Sequence, residues 1–375
     1  MEKRKWNLLL ASTVLTAGLL TGCGADSKPP APSAEPQATQ TPKGADKEET
    51  DSKSKVEGKE LKSQDESVQI TVPSDWKENS TLNPQAILGA ANLRKEKYVI
   101  AVPFAKSEFA DSTTLDDFIS VTNSNIELTA TKMEVGEIKE VQIDDVSAKQ
   151  TVIAAEVSGI QVRYLITYLE KGNRFYQLAA WTLDERYDEY EKEFSNVINS
   201  FRILNENPDT AAVENSNSKK NLKKVTLTDD EDWTEITLPG GWSQIHGLNE
   251  EASLQASYIT NASENYMVVL SEPKEDFEEG HTLSDYYDLI MEMQLTDEVI
   301  GNSNYTDAVE LEINGLPAVQ FEVRGEVDKV KIAYLFTLVE SESGFHQLIF
   351  WTNDQKLDEN KQTYLDAINT FKVKE

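Results

Sequence analysis

The sequence has very few of the residues on which catalytic and metal-binding sites usually depend. Its 375 residues include one cysteine, Cys23, and three histidines, so no disulfide can form within the chain. None of the histidines, His246, His281 and His346, recurs in the internal repeat described below. No G-x-S-x-G, H-E-x-x-H, P-loop or Rossmann fingerprint appears. The sequence therefore predicts no catalytic residue, no metal ligand and no cofactor, and the protein is not expected to be an enzyme.

Positive charge is also scarce. The chain has 36 Lys and Arg against 66 Asp and Glu, a formal net charge of −30. Residues 233–375 alone carry 27 acidic and 8 basic residues, and residues 67–204 carry 21 and 14. Such a surface repels phosphate-rich partners, which excludes nucleic acid as a predicted partner. A solvated acidic surface is the simpler interpretation, and cationic partners such as Ca²⁺ or basic peptides stay open.

The N-terminus has the pattern of a targeting segment. A basic head at residues 3–5 precedes an apolar run at residues 8–20, too short to span a bilayer permanently. The run ends in Leu-Thr-Gly-Cys at residues 20–23, which resembles the lipobox of bacterial lipoproteins. That resemblance implies a signal peptide at residues 1–22 and a diacylglycerol and palmitate group on Cys23. The acyl chains would anchor the protein to the lipid bilayer on the extracytoplasmic face of the cell membrane.

Two segments lack the apolar periodicity of folded elements. Residues 23–66 are rich in Pro, Ser, Thr and Ala and then in Lys and Glu, so they cannot bury enough apolar surface to offset their ordering entropy. They are predicted to be a disordered tether. Residues 205–232 are similarly polar and are predicted to be a linker between two domains.

The chain contains one long internal repeat. ITVPSDW at residues 70–76 recurs as ITLPGGW at residues 236–242, an offset of 166. The offset later becomes 168 and then 170, which is typical of two short loop insertions. The pairs that fix the three offsets are Ile70 with Ile236, Tyr98 with Tyr266, and Ile143 with Ile313. The period is far longer than a solenoid repeat, so it predicts two whole domains, residues 67–204 and 233–375. Each is expected to fold alone, joined to the other only by the linker.

Each domain has the pattern of an α+β fold. Thr114 with Asp117, and Thr282 with Asp285, have the spacing of a helix capping box. Alternating strands with turn signals such as Asn-Gly at residues 314–315 predict a meander of antiparallel strands. An apolar stripe that ends at Phe201, or at Phe371 in the second copy, predicts a closing helix on the sheet. An antiparallel sheet with helices packed on it is the consistent architecture.

This order of elements resembles the PsbP-like superfamily. The resemblance is carried by ITVPSDW, TLDDFI, YQLAAWT and NVINSFRI in the first copy and by ITLPGGW, TLSDYY, HQLIFWT and DAINTF in the second. It implies two tandem α/β/α sandwich domains, each with a mainly antiparallel sheet, in a bacterial lipoprotein. Members of the group are as a rule accessory or binding proteins, and the pattern contains no catalytic signature.

Two acidic stretches are the candidates for cation binding. Glu278 and His281 have a spacing that would suit a metal, but a solvated loop before a helix is the simpler interpretation. The run Asp-Asp-Glu-Asp at residues 229–232 lacks the spaced oxygens and the glycine of an EF-hand loop.

Two functions are consistent with these features. The first is a membrane-anchored, non-enzymatic binding or accessory module for another envelope protein. The alternative is a lipoprotein that binds a small ligand or Ca²⁺. The sequence does not distinguish the two, nor does it identify the partner.

Overall fold

The computed structural model describes residues 58–208, 223–260, 263–296 and 299–374. The signal peptide, residues 23–57 of the tether, which include Cys23, and residues 209–222 of the linker lie outside these residues. The described residues form two domains, each with one eight-stranded sheet, one three-stranded sheet and two α-helices. This confirms the predicted fold class of two antiparallel sheet domains with helices packed on them.

The first domain starts upstream of the predicted boundary at residue 67, because its first strand already pairs with the second. Its elements in chain order are β1 (Lys59–Lys62), β2 (Val68–Val72), β3 (Lys77–Glu78), β4 (Leu88–Asn92), β5 (Lys97–Ala105), α1 (Leu115–Thr129), β6 (Lys132–Val135), β7 (Lys139–Ile143), β8 (Val146–Val157), β9 (Ile160–Lys171), β10 (Arg174–Leu183), α2 (Tyr187–Asn199) and β11 (Arg202–Ile203).

The second domain repeats this order. Its elements are β12 (Val225–Thr228), β13 (Thr234–Leu238), β14 (Ser243–Gln244), β15 (Leu254–Ile259), β16 (Glu264–Pro273), α3 (Leu283–Met293), β17 (Gly301–Tyr305), β18 (Val309–Ile313), β19 (Leu316–Val327), β20 (Val330–Glu340), β21 (Gly344–Asn353), α4 (Leu357–Ile368) and β22 (Lys372–Val373).

The strand order is the same in both domains. The large sheets run β3-β4-β5-β10-β9-β8-β6 and β14-β15-β16-β21-β20-β19-β17, with β7 paired to β8 and β18 paired to β19. The small sheets are β1-β2-β11 and β12-β13-β22. In each, the first strand precedes the repeated ITVPSDW or ITLPGGW motif, the middle strand contains the start of the motif, and the last strand follows the closing helix. The sequence analysis did not predict these last strands, since two residues are too short for a periodic pattern.

The local signals in the sequence form the expected structures. Thr114 and Thr282 each accept a hydrogen bond from the backbone of the Asp three residues later, and both capping boxes are complete. Asn314 and Gly315 adopt positive φ angles of 50° and 84°, as a two-residue hairpin turn requires. Phe201 and Phe371 lie two and three residues beyond the last residues of α2 and α4, and both are fully buried.

The two faces of each large sheet have different neighbours. Helices α2 and α4 pack on one face of their own sheet and form separate hydrophobic cores. Helices α1 and α3 pack on the other face, and there the buried side chains of both domains form one continuous core. Members of this shared core include Phe109, Phe118 and Trp181 from the first domain and Tyr286, Val330 and Trp351 from the second.

This shared core corrects one expectation. The sequence indicated that the polar linker is the only connection between the domains. Because the repeat pattern shows which side chains are apolar but not which of them meet across domains, it could not predict this contact. The structure joins the two domains through buried apolar surface.

Candidate functional site

The predicted lipidation residue, Cys23, lies outside the described residues, so its role stays a prediction. No helix among the described residues has both the length and the apolar content needed to cross a bilayer.

The two acidic stretches that were candidates for cation binding have other contacts in the structure. Within the described ranges, no group of three or more His, Cys, Asp or Glu side chains is placed to hold a metal ion. The Asp229 carboxylate accepts hydrogen bonds from the backbone N–H groups of Trp233, at 2.8 Å, and Thr234, at 2.7 Å. Asp232 forms an ion pair with Lys374 at 2.5 Å. This acidic run therefore closes a turn at the start of the second domain.

The histidines occupy three unrelated environments. His246 is exposed, and the His281 ring stacks on Phe277 with centroids 5.0 Å apart. His346 is fully buried, with Nδ1 3.0 Å from Ser271 Oγ and Nε2 3.0 Å from Ser341 Oγ. Burial lowers the pKa of His346 to about 4, so its ring is neutral near pH 7. Both of its nitrogens already have partners within the fold, which makes it a core group of the second domain.

The most distinctive local geometry lies where the domains meet. A loop of the first domain, residues 106–113 (loop 1), receives the turn between β19 and β20 of the second, residues 328–331 (the basic turn). Phe109 and Val330 form an isolated antiparallel β-bridge, and the Ala110 N–H donates to Lys329 O at 2.7 Å. Val330 is 1% exposed. The contact therefore combines backbone pairing with a buried aliphatic side chain.

Charged side chains flank this backbone contact. Lys331 Nζ lies 2.8 Å from an Asp111 carboxylate oxygen, and Lys329 Nζ lies 3.9 Å from an oxygen of Asp117 at the start of α1. Exposed ion pairs contribute only about 0–1 kcal/mol each. These two ion pairs make a basic turn the favoured partner of an acidic loop. The buried apolar surface supplies most of the stabilisation.

A polar cluster with a buried carboxyl lies at the same junction. The Glu264 side chain of the second domain accepts hydrogen bonds from the Gln85 amide of the first and, at 2.9 Å, from the Tyr266 hydroxyl. Glu264 is 4% exposed, and its burial raises the pKa of that carboxyl well above the ordinary value. Burial also raises the pKa of Glu108, in loop 1, to about 7. The junction thus holds two carboxyls whose pKa is raised by burial.

These carboxyls predict a pH dependence for the folded state. A carboxyl whose pKa is raised on folding contributes stability that is present below its unfolded pKa, about 4.5, and is lost as pH rises through the folded pKa. We expect Glu264→Gln to remove part of this loss, so that the stability of the wild type relative to the variant falls as pH rises above 4.5. Urea unfolding of both proteins at pH 5 and pH 8 measures the difference.

Glu96 provides a matched control, because it occupies the position equivalent to Glu264 in the first domain and its side chain is 46% exposed. Glu96→Gln makes the same substitution at this exposed position, and its pH profile is the reference for that of Glu264→Gln. If the unfolding free energies of Glu264→Gln and the wild type change in parallel with pH, folding does not raise the pKa of Glu264, and the prediction is wrong.

A comparison with protein families finds a match to the first part of the chain. A family model described as PsbP-like protein matches residues 36–203. A comparison with curated proteins finds no match to this chain.

Solved structures with detectable similarity are distant. Cyanobacterial PsbP from Synechocystis sp. PCC 6803 is 14% identical, covers 43% of this chain and 99% of its own, and has a TM-score of 0.33. LpqN, involved in cell envelope biogenesis of Mycobacterium tuberculosis, is 12% identical over 39% of this chain and 85% of its own, with a TM-score of 0.29. The immunity protein TplEi of Pseudomonas aeruginosa is 9% identical over 82% of this chain and 94% of its own, with a TM-score of 0.23.

TM-scores below 0.5 do not support the transfer of a function from these proteins. The family match and the repeated topology do support the fold. Residues 36–203 are therefore similar to the PsbP-like family, and the second domain repeats the order of strands and helices of the first.

Proposed function

We propose that this protein is a lipid-anchored extracytoplasmic lipoprotein that binds another protein of the cell envelope and acts without catalysis. The lipobox-like residues 20–23 support the anchor. The polar tether at residues 23–66 supports a folded part held clear of the membrane, at a distance on the order of tens of ångströms.

One observation carries the binding function. The contact between loop 1 and the basic turn is a docking interaction made by a loop of a PsbP-like domain. The second domain has an equivalent loop, residues 274–281 (loop 2), whose acidic residues Glu278 and Glu279 are exposed. The first domain uses loop 1 to bind the second domain, and the second domain presents the equivalent loop 2 on its surface. For the alternative, a small-ligand or Ca²⁺ site, no arrangement of the described residues offers comparable support.

The anchor is tested by Cys23→Ser. The variant should not incorporate a fatty-acid probe and should keep its signal peptide, because the thiol is the acceptor of the diacylglycerol group. Metabolic labelling and membrane fractionation of cells that express either form measure the effect. Labelling of the variant equal to that of the wild type would place the lipid elsewhere or exclude it.

The binding function is tested in intact cells with a photo-crosslinking amino acid at Glu279 in loop 2. We expect it to form an adduct with an extracytoplasmic protein. The same amino acid at Glu359, an exposed residue of α4 on the opposite side of the domain, serves as the control. No adduct from Glu279, or the same adducts from both positions, would contradict a binding role for loop 2.

A further inference from the structure

Loops 1 and 2 share one backbone conformation from their first residue to Phe109 and Phe277, and they differ later, where Gly280 has a φ of 88° and the equivalent Ser112 does not have a positive φ. Each begins with a single 3-10 turn, Lys106–Glu108 in loop 1 and Lys274–Asp276 in loop 2. The N–H of Phe109 donates to Lys106 O at 3.1 Å, and the N–H of Phe277 donates to Lys274 O at 3.1 Å. The φ and ψ angles are −114° and 163° at Phe109 and −112° and 165° at Phe277. At Phe277, loop 2 therefore has the backbone conformation with which Phe109 of loop 1 pairs with the basic turn.

The supports of the two loops also correspond. The opening lysine of loop 1 pairs with Glu170, and that of loop 2 pairs with Glu340 at 2.6 Å. Phe109 packs edge-on against Phe175 and Phe118, and Phe277 packs edge-on against Phe345 and Tyr286. These contacts lie within each domain, so loop 2 holds its shape without a partner.

The two loops differ in exposure and charge. Phe109 is 1% exposed because the basic turn covers it, whereas Phe277 stays partly exposed. The Ala110 N–H donates to the basic turn, and the equivalent N–H of Glu278 has no acceptor among the described residues. Ala110 and Asp111 of loop 1 correspond to Glu278 and Glu279 of loop 2, which adds one negative charge. Loop 2 thus offers an aromatic ring, a backbone donor and a more acidic rim.

We infer that loop 2 binds a β-turn of a partner protein that carries an aliphatic residue between two basic residues, as Lys329-Val330-Lys331 does at loop 1. The carbonyl of the first basic residue would accept from the Glu278 N–H. The aliphatic side chain would pack on the part of Phe277 that the stacked His281 ring leaves exposed. The second basic side chain would pair with Glu279, and the first would reach Asp285 at the start of α3. This inference rests on the proposed binding function and specifies the partner's chemistry.

A second copy of this chain is a poor occupant. The turn of the first domain that is equivalent to the basic turn has Gly159 in place of Lys329, Ile160 in place of Val330, and Gln161 in place of Lys331. It keeps the aliphatic residue and lacks both lysines. Head-to-tail contacts that do not close generate open chains of molecules. The missing lysines disfavour such growth, so loop 2 is left for a different protein.

The test uses a backbone-cyclised hairpin peptide that copies residues 323–334, titrated into the full chain in detergent at low ionic strength. A charge-reversed peptide, with Lys329→Glu and Lys331→Glu, serves as its control. We expect saturable binding of the first peptide, affinity at least about tenfold lower for the second, and weakening by salt.

Chain variants assign the binding to loop 2. Glu278→Lys with Glu279→Lys should lower the affinity at least about tenfold, whereas Glu359→Lys with Asp366→Lys, the same charge change on α4, should not. No saturable binding, or equal losses in the two double variants, would overturn the inference. Self-association of the full chain in sedimentation that is abolished by the loop 2 variant would also overturn it, because the occupant would then be a second copy. If the hairpin fails to bind but the crosslinker at Glu279 still captures an envelope protein, only the partner chemistry is wrong.

Discussion

Phe371→Ala is expected to lower the free energy of unfolding by about 3–5 kcal/mol and to shift the thermal unfolding of both domains together. Phe371 is fully buried in the core beneath α4, and truncation of a buried Phe leaves a cavity as well as removing apolar contacts. The loss is a large share of a typical domain stability of 5–15 kcal/mol. Once the second domain unfolds, the first domain loses the part of the shared core that the second domain supplies.

Calorimetry of the wild type and the variant measures this coupling. The wild type should unfold in one cooperative transition, and the variant in one transition at a lower temperature. Two wild-type transitions, of which Phe371→Ala lowers only one, would show that the domains unfold independently and that the shared core contributes little.

Phe109→Ala should have a similar effect, again about 3–5 kcal/mol, while Phe277→Ala should be considerably milder. The two residues occupy equivalent positions and make equivalent edge-on ring contacts within their own domains, and Phe277 is in addition stacked on His281. Phe109 is additionally covered by Val330 across the junction, whereas Phe277 is partly exposed. The cost of truncating a side chain rises with its burial, so the difference between the two variants reports the contribution of the docking contact.

Chemical denaturation of the three proteins at one pH gives the two free-energy differences. Circular dichroism should confirm that both variants remain folded before denaturant is added. Equal losses of stability for Phe109→Ala and Phe277→Ala would mean that the basic turn adds nothing to the burial of Phe109.

Signals that are local in sequence predicted most of the fold. The capping boxes at Thr114 and Thr282, the Asn314-Gly315 turn and the stripes ending at Phe201 and Phe371 depend on neighbouring residues, and all form as expected. The offset between the repeats predicted two domains of one fold because equivalent elements must be spaced alike.

Features that depend on long-range contacts were missed. The apolar side chains of α1 and α3 identify core faces, but nothing in their spacing shows that these faces meet across the two domains. The pairing of Phe109 with Val330 joins residues 221 positions apart, and neither residue belongs to a recognisable motif. Loop 2 is exposed because the domains dock head to tail, with loop 1 of the first domain against the basic turn of the second. The repeat in the sequence does not determine this arrangement.

The head-to-tail docking of the domains is tested most directly by a disulfide across the junction. Ala110 and Lys329 lie next to the bridged pair and are joined by a backbone hydrogen bond of 2.7 Å, which places them close enough for a bridge between introduced cysteines. In a Cys23→Ser background, Ala110→Cys with Lys329→Cys should oxidise rapidly and completely within one molecule. Glu278→Cys with Lys329→Cys, which uses the equivalent position in loop 2, should not. Failure of the first pair to oxidise, or equal oxidation of both pairs, would contradict the account.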